Sequence, residues 1–396
     1  MLNNPLRPQA RLLFGTALVV FVVTIVIGIL NGMDVWEPEH NVLLTHVHAG
    51  TLGWITLAVV GTAMLMLGEG ADARVAAAAR RIAAVTAATI VLYVIAFFAG
   101  TGIYRPIAGT LVLIAIVWAL IWALGRYGAV AKTTARLAIV LAMVSLGIGA
   151  ILGVLLGLFI ANGSLPGLST DTASNLAGAH PPAMLIGYLI LAGVAIAHWV
   201  LDGPEKGWGR LVPWALFVAG LVANVAFIFN LVDQLSPVFS GLQVLSIIGF
   251  VVFMWPRVKP AAWSDGGAGN FGRLSVIFLA VGIGLLVYLV QLFVSGEIDP
   301  ESGEGVGILL AFDHAMFIGV MTNALFAAIG TIVAAGSVDR WVRWAVNLGL
   351  AGFLVGLFAE SAILKRISTP IMGVALLAGI FLYLRRLGAG QEATTA

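Results

Sequence analysis

Twelve apolar stretches separated by short polar segments run along this chain, near 11–31, 42–67, 80–100, 105–126, 135–162, 174–200, 210–230, 237–256, 273–295, 306–334, 341–360 and 368–386. A helix of about 20 apolar residues crosses a hydrocarbon core of ~30 Å. The pattern therefore predicts an all-α polytopic membrane protein with twelve transmembrane helices, called spans 1 to 12 below. The longest connecting segments, around 163–173 and 257–272, are too short to fold as a soluble domain. The polar tail from Gly388 is expected to be disordered. The first apolar run ends without a small-residue cleavage site, so it reads as a retained span.

The polar segments then orient the chain. Lysine and arginine resist translocation and collect in every second loop. Of the 20 basic residues, all but Arg105, Lys365 and Arg366 fall on one alternating side, from Arg7 and Arg11 to Arg385 and Arg386. The opposite loops carry Asp34, Glu37 and Glu39, and Glu297, Asp299, Glu301 and Glu304. A bacterial-type cytoplasmic membrane with both termini on the cytoplasmic side is expected. Composition agrees: 61% of the 396 residues are apolar, 10% are charged, and the mean hydropathy is +1.07. The pI near 9.0 follows from the loop charges, and no basic cluster with interleaved aromatics suggests a nucleic-acid partner. The lipid bilayer is the expected partner. The absence of cysteine excludes disulfides, thiolate ligands and iron–sulfur clusters.

Histidines enter three of these spans at a fixed interval. The distance along the chain from His46 to His180 equals that from His180 to His314. The surrounding text recurs as His46-Val-His48-Ala49 with Gly53, His180-Pro-Pro-Ala183 with Gly187, and Phe312-Asp-His314-Ala315 with Gly319. Aligned on the Ala-x-x-x-Gly pair, the first step is unchanged and the second is slightly shorter. Four spans per repeat, three times, account for the chain as one transmembrane unit over 1–396, with repeats of roughly 1–134, 135–268 and 269–396. The histidines of spans 2, 6 and 10 then share one outer layer of the membrane. Intramembrane ionisable groups of this kind point to a cofactor or ion site.

Positions 46 and 48 lie about 200° apart around a helix, so they cannot both serve one metal. In the repeat alignment His48 matches His314 and Pro182, whereas His46 matches His180 and Phe312. One reading pairs His48 with His314 and leaves His46 and His180 for another task. In a closed three-part ring, however, equivalent positions face different inter-helix gaps. Two imidazoles from different spans, with small residues at Ala49, Gly50, Gly53, Ala183, Gly187, Ala315 and Gly319 leaving room for a flat ligand, suit a b-type haem. Small residues also serve simply to bring membrane helices together.

Twelve spans in three pseudo-symmetric four-helix arcs, with histidines in spans 2, 6 and 10, resemble the catalytic subunit of the haem-copper oxidase and nitric oxide reductase superfamily. The resemblance covers the full chain and is chiefly topological. It implies that His48, or alternatively His46, and His314 hold a low-spin haem iron, and it places His180-Pro181 where the family's copper site begins. The departures are large. Phe312 replaces the histidine expected to bind a high-spin haem, span 7 carries no histidine, and Met184 and Leu185 stand where a tyrosine is expected. A tight copper centre needs several nitrogen ligands, so copper is not expected. His46-Val-His48 and His314-Ala-Met-Phe-Ile-Gly319 are also similar to motifs of the NnrS family, multi-span haem proteins linked to nitric oxide stress.

Other residues carry secondary readings. Asp313 is an intramembrane carboxylate that could orient an imidazole, bond near a propionate or carry a proton. Arg105 could anchor a propionate. Met316 could replace an imidazole in another ligand register, although packing is the usual role of a buried methionine. His198 and His40 read as interfacial and loop residues, and Glu360 as an ion-pair partner of Lys365 and Arg366. The leading expectation is a haem-b-binding membrane protein in electron transfer, gas binding or nitric oxide response, served by a membrane or periplasmic electron donor. The alternatives are an active nitric oxide or oxygen reductase whose second metal site uses His46 and His180, and a secondary transporter with intramembrane histidines.

Overall fold

The computed structural model describes residues 4–205, 207–263, 267–297, 305–334 and 336–395. Lys206, Asp299, Glu301 and Glu304, which entered the charge pattern above, lie outside the described residues. Among the described residues, twelve helices are long and apolar enough to cross a membrane: Arg7–Gly32, His40–Leu67, Ala73–Ala99, Tyr104–Ala129, Thr134–Asn162, Thr170–Val200, Gly207–Ile228, Val232–Val258, Gly269–Leu292, Val306–Ile329, Val338–Phe358 and Ala362–Ala389. The chain is an all-α, multi-pass membrane protein, and the twelve helices are the twelve apolar stretches in order.

The helices begin a turn or two earlier than the apolar runs where a cap allows it. The Asp72 carboxylate accepts a bond from Val75 N at 2.8 Å, so span 3 starts at Ala73 and takes in the alanine run before the apolar stretch. The Ser169 hydroxyl accepts from Thr172 N at 3.1 Å and starts span 6 at Thr170. At the other end of the chain the last helix continues to Thr395, so the tail expected to be disordered is helical.

Three spans are central. In spans 2, 6 and 10 the most hydrophobic window is 89%, 72% and 61% buried, against 39–56% in the other nine. Their basic-side halves, Leu57–Leu67, Ile190–Val200 and Asn323–Ile329, pack against one another, whereas their opposite halves pack against flanking spans. Each central span changes its winding between these halves. π-Helical turns occupy Ala49–Thr56, Ala183–Leu189 and Ala315–Thr322. Each begins at the alanine of one of the three Ala-x-x-x-Gly pairs, so the winding follows the sequence repeat. Proline is not their cause, because only span 6 has Pro181 and Pro182 at this point. π-Turns are rare and are found mostly at functional sites. Here each lets one helix present different faces in its two halves.

Span 1 packs against span 12, and an ion-pair bridge ties the pair together. Asp34, in the loop after span 1, accepts from Lys365 Nζ at 2.7 Å and from Arg366 Nε at 2.8 Å. This accounts for two of the three basic residues on the acidic side. Their partner is Asp34, not Glu360 as the local sequence suggested. The two hydrogen-bonded cations hold the Asp34 carboxyl below its ordinary range. A depressed folded-state value contributes stability above about pH 4 that is lost as pH falls through the folded value. Asp34→Asn is therefore expected to lower thermal stability in detergent modestly at neutral pH and to flatten the acid limb of the profile, the variant and the wild type converging at low pH. An unaltered acid limb would show that this bridge does not hold spans 1 and 12.

Candidate functional site

Each of the four outer-layer imidazoles spends its Nδ1–H on a backbone carbonyl. His48 Nδ1 donates to Leu44 O at 2.8 Å and His314 Nδ1 to Leu310 O at 2.7 Å, each one turn back in its own helix. His46 Nδ1 donates to Thr24 O at 2.9 Å and His180 Nδ1 to Gly149 O at 3.0 Å, in both cases across to the preceding span. The two bond types divide the histidines just as the repeat alignment does, His48 with His314 and His46 with His180. A carbonyl can only accept, so the tautomer is set, and Nε2 is left in each ring with a free lone pair. Metal-ligating histidines are commonly oriented by the same kind of Nδ1–H bond to a carbonyl.

Small residues hold the cross-span pair. Four residues beyond each acceptor stands a glycine, Gly28 or Gly153. A Cβ there would lie 3.0 Å from His46 Cε1 and 2.9 Å from His180 Cε1. His48 is held by aromatic contacts instead: Phe97 stacks on it with ring centroids 3.9 Å apart, and Tyr93 meets it edge-on at 5.7 Å. His314 meets Phe353 at 4.8 Å.

The facing partners differ from the simplest expectation. His48 and His180 line one cavity of about 80 Å³, together with Tyr93, Phe97, Arg105 and Gly153. His46 instead lies within electrostatic reach of His314. These contacts group His48 with His180 and His46 with His314, a grouping other than the expected His48–His314 pair and other than the alternative site using His46 with His180. The physical reason is the rotation of about 200° between positions 46 and 48, which sends their rings into gaps on opposite sides of span 2.

A second layer of contacts, one turn or two deeper, repeats this arrangement. Tyr188 Oη donates to Thr56 Oγ1 at 3.1 Å, from span 6 to span 2. Trp54 Nε1 donates to Thr322 Oγ1 at 3.0 Å, from span 2 to span 10. In the alignment on the Ala-x-x-x-Gly pairs, Trp54, Tyr188 and Val320 are equivalent, as are Thr56, Ile190 and Thr322. Spans 2 and 6 thus share a histidine pair and an aromatic-to-threonine bond, and so do spans 10 and 2. The corresponding positions between spans 6 and 10 are Pro182 with Phe312 and Val320 with Ile190, all apolar in side chain. These aromatic–threonine bonds were not among the expected contacts, although the same residue spacing carries them.

Arg105 stands at the mouth of the first cavity. It is buried, its Nη2 donates to Asn41 Oδ1 and Phe97 O at 2.9 Å each, and its guanidinium lies 4.3 Å over the Phe97 ring. Its Nε has no acceptor, and no carboxylate pairs with it among the described residues. A buried cation without a counter-charge suits an anionic group of a ligand. Asp313 is half-buried beside His314, with no hydrogen-bond or ion-pair partner among the described residues.

The remaining candidates have structural roles. The Met316 sulfur packs where a Cβ on Gly282 would come within 2.8 Å, as the Met184 sulfur packs at Gly149. His198 is spent on Pro204 O through Nε2 at 3.2 Å and closes the turn after span 6. No three metal-ligating side chains converge among the described residues. No protein-family model matches the chain, and no curated protein matches it.

The absence of native cysteine makes the pairing directly testable. His46→Cys combined with His314→Cys should be bridged by a short thiol cross-linker or one Hg²⁺ ion, as should His48→Cys with His180→Cys. Efficient bridging of His48→Cys with His314→Cys, and none in the other two pairs, would reverse the assignment.

Proposed function

We propose that this chain is a b-type haem-binding integral membrane protein in which the imidazole pairs His46–His314 and His48–His180 would hold the iron. The observation that carries the reading is the presence of four histidines, each tied through Nδ1 to a carbonyl with Nε2 free, grouped as facing pairs across two gaps between central spans. The repeat spacing, the three π-turns and the two polar central interfaces support an arrangement in three four-helix arcs. They also support a distant relation to haem-copper oxidase catalytic subunits. A bacterial cytoplasmic membrane with both termini cytoplasmic belongs to the same reading.

The residues present fit such a group in donor chemistry. Imidazole nitrogens suit iron, bare glycine backbone permits close approach of a flat ring, and Arg105 is placed to receive a carboxylate. The cavity of about 80 Å³ is smaller than the ~300–1,000 Å³ of pockets enclosing small organic ligands. Phe97, lying on His48, is therefore the side chain that must swing aside. When bound between two imidazoles, haem supplies one-electron redox chemistry, which favours electron transfer over gas binding at rest. The protein's part is to fix the imidazole tautomer, exclude water with spans 1, 3, 5 and 11, and hold the propionate end at Arg105. An electron donor at the acidic face, and a role in nitric oxide response, extend this proposal.

Asp313 favours a second reading, a secondary transporter using a carboxylate and histidines as proton sites. Span 6 runs unbroken through Pro181 and Pro182, so the helix interruption expected of such a site is not found there.

Haem content separates these readings. His314→Ala and His180→Ala should each remove about half of the bound haem and its low-spin signal, because loss of one axial ligand frees an iron position, and the double variant should lose nearly all. Unchanged haem in the double variant would remove the ligand assignment. A haem-free protein that retains proton-coupled flux would establish the transporter.

A further inference from the structure

At the basic face, far along the chain from the histidines, Arg343 is buried in span 11 with only 3% of its surface exposed. Among the described residues its side chain makes no hydrogen bond or ion pair, and its Nε is sealed without an acceptor. Its terminal nitrogens keep a small solvent access. The guanidinium sits 5.9 Å from the Phe271 and Trp344 ring centroids, at the outer limit of cation–π attraction, and neither ring supplies an acceptor.

The neighbouring charges make its position worse. Arg340 and Arg273 lie within electrostatic reach, with Asp339 as the one carboxylate among the charges it senses. Asp339 is already committed through both oxygens, accepting from Arg386 Nη1 at 2.6 Å and from Gly336 N at 2.9 Å. Arg273 Nε and Nη1 donate to Arg257 O and Asn270 Oδ1, which are neutral acceptors. Among the described residues Asp339 is thus the one carboxylate that Arg343 senses, set against the guanidinium groups of Arg340 and Arg273. Trp263 and Trp344, stacked at 6.3 Å, place an aromatic pair beside them. A buried, unpaired cation among like charges is costly unless an anion completes the site.

We propose that this arginine cluster binds a phosphate group, with Arg343 and Arg273 as its donors. Basic pockets between membrane helices at the positively charged face suit anionic headgroups, and arginine suits phosphate geometry. The phosphate could belong to an anionic phospholipid or be soluble. The proposal is independent of the haem reading.

The test compares the full-length protein with Arg343→Gln, Arg273→Gln and the control Arg126→Gln, in nanodiscs of phosphatidylcholine with or without phosphatidylglycerol. Thermal stability and retained lipid by native mass spectrometry are the readouts, and inorganic phosphate is titrated separately in detergent. Phosphatidylglycerol is expected to stabilise the wild type and the control, and each site variant should bind it roughly ten-fold more weakly. If Arg343→Gln does not fold, Arg273→Gln carries the comparison. Stabilisation by inorganic phosphate alone, lost in the same variants, assigns the site to a soluble phosphate. Equal stabilisation of all four proteins, or none by either ligand, overturns the proposal.

Discussion

An imidazole inside a membrane protein has one N–H to satisfy, and the four outer-layer histidines satisfy it in the same way, on a backbone carbonyl. An unmet donor costs more here than at a wet surface, so the bond sets both ring orientation and tautomer. The other nitrogen, equally polar, is then left without a partner among the described residues in four places. Paired lone pairs in two gaps are the tension from which the functional reading follows. His198 differs in place: its Nε2 donates to Pro204 O, closing the turn after span 6, and its ring packs on Phe253.

The central spans show how the same few positions are used three times with different results. Position 48 and its equivalents hold His48, Pro182 and His314, and position 46 and its equivalents hold His46, His180 and Phe312. Each gap takes one position of each kind from neighbouring spans. Two gaps therefore gain a histidine pair and the third gains none. The deeper layer obeys the same rule, with Tyr188 to Thr56 and Trp54 to Thr322 bonded and Val320 left against Gly193. Polar side chains stand in both layers at two interfaces and in neither layer at the third.

Much of this is legible in the chain. Twelve spans follow from apolar length, and the recurring Ala-x-x-x-Gly pairs mark the π-turns, which open at Ala49, Ala183 and Ala315. The pairing of histidines is not legible, since repeat equivalence says which residues are alike and not which ones meet. The turn of about 200° between His46 and His48 points to separate gaps, but the identity of each partner depends on how three central helices close on one another. Phe97 on His48 and Asp34 with Lys365 are invisible for a related reason: both contacts join segments far apart in sequence, and nothing in local periodicity records them.

The central claim is that these two imidazole pairs hold iron, and the most direct measurement is quantitative. A pyridine-haemochrome spectrum and metal analysis on one sample of detergent-purified protein, expressed with adequate haem supply, would count the groups per chain. The account predicts b-type haem with close to two irons per chain and no stoichiometric copper. Protein that is folded, monodisperse and free of haem would contradict it.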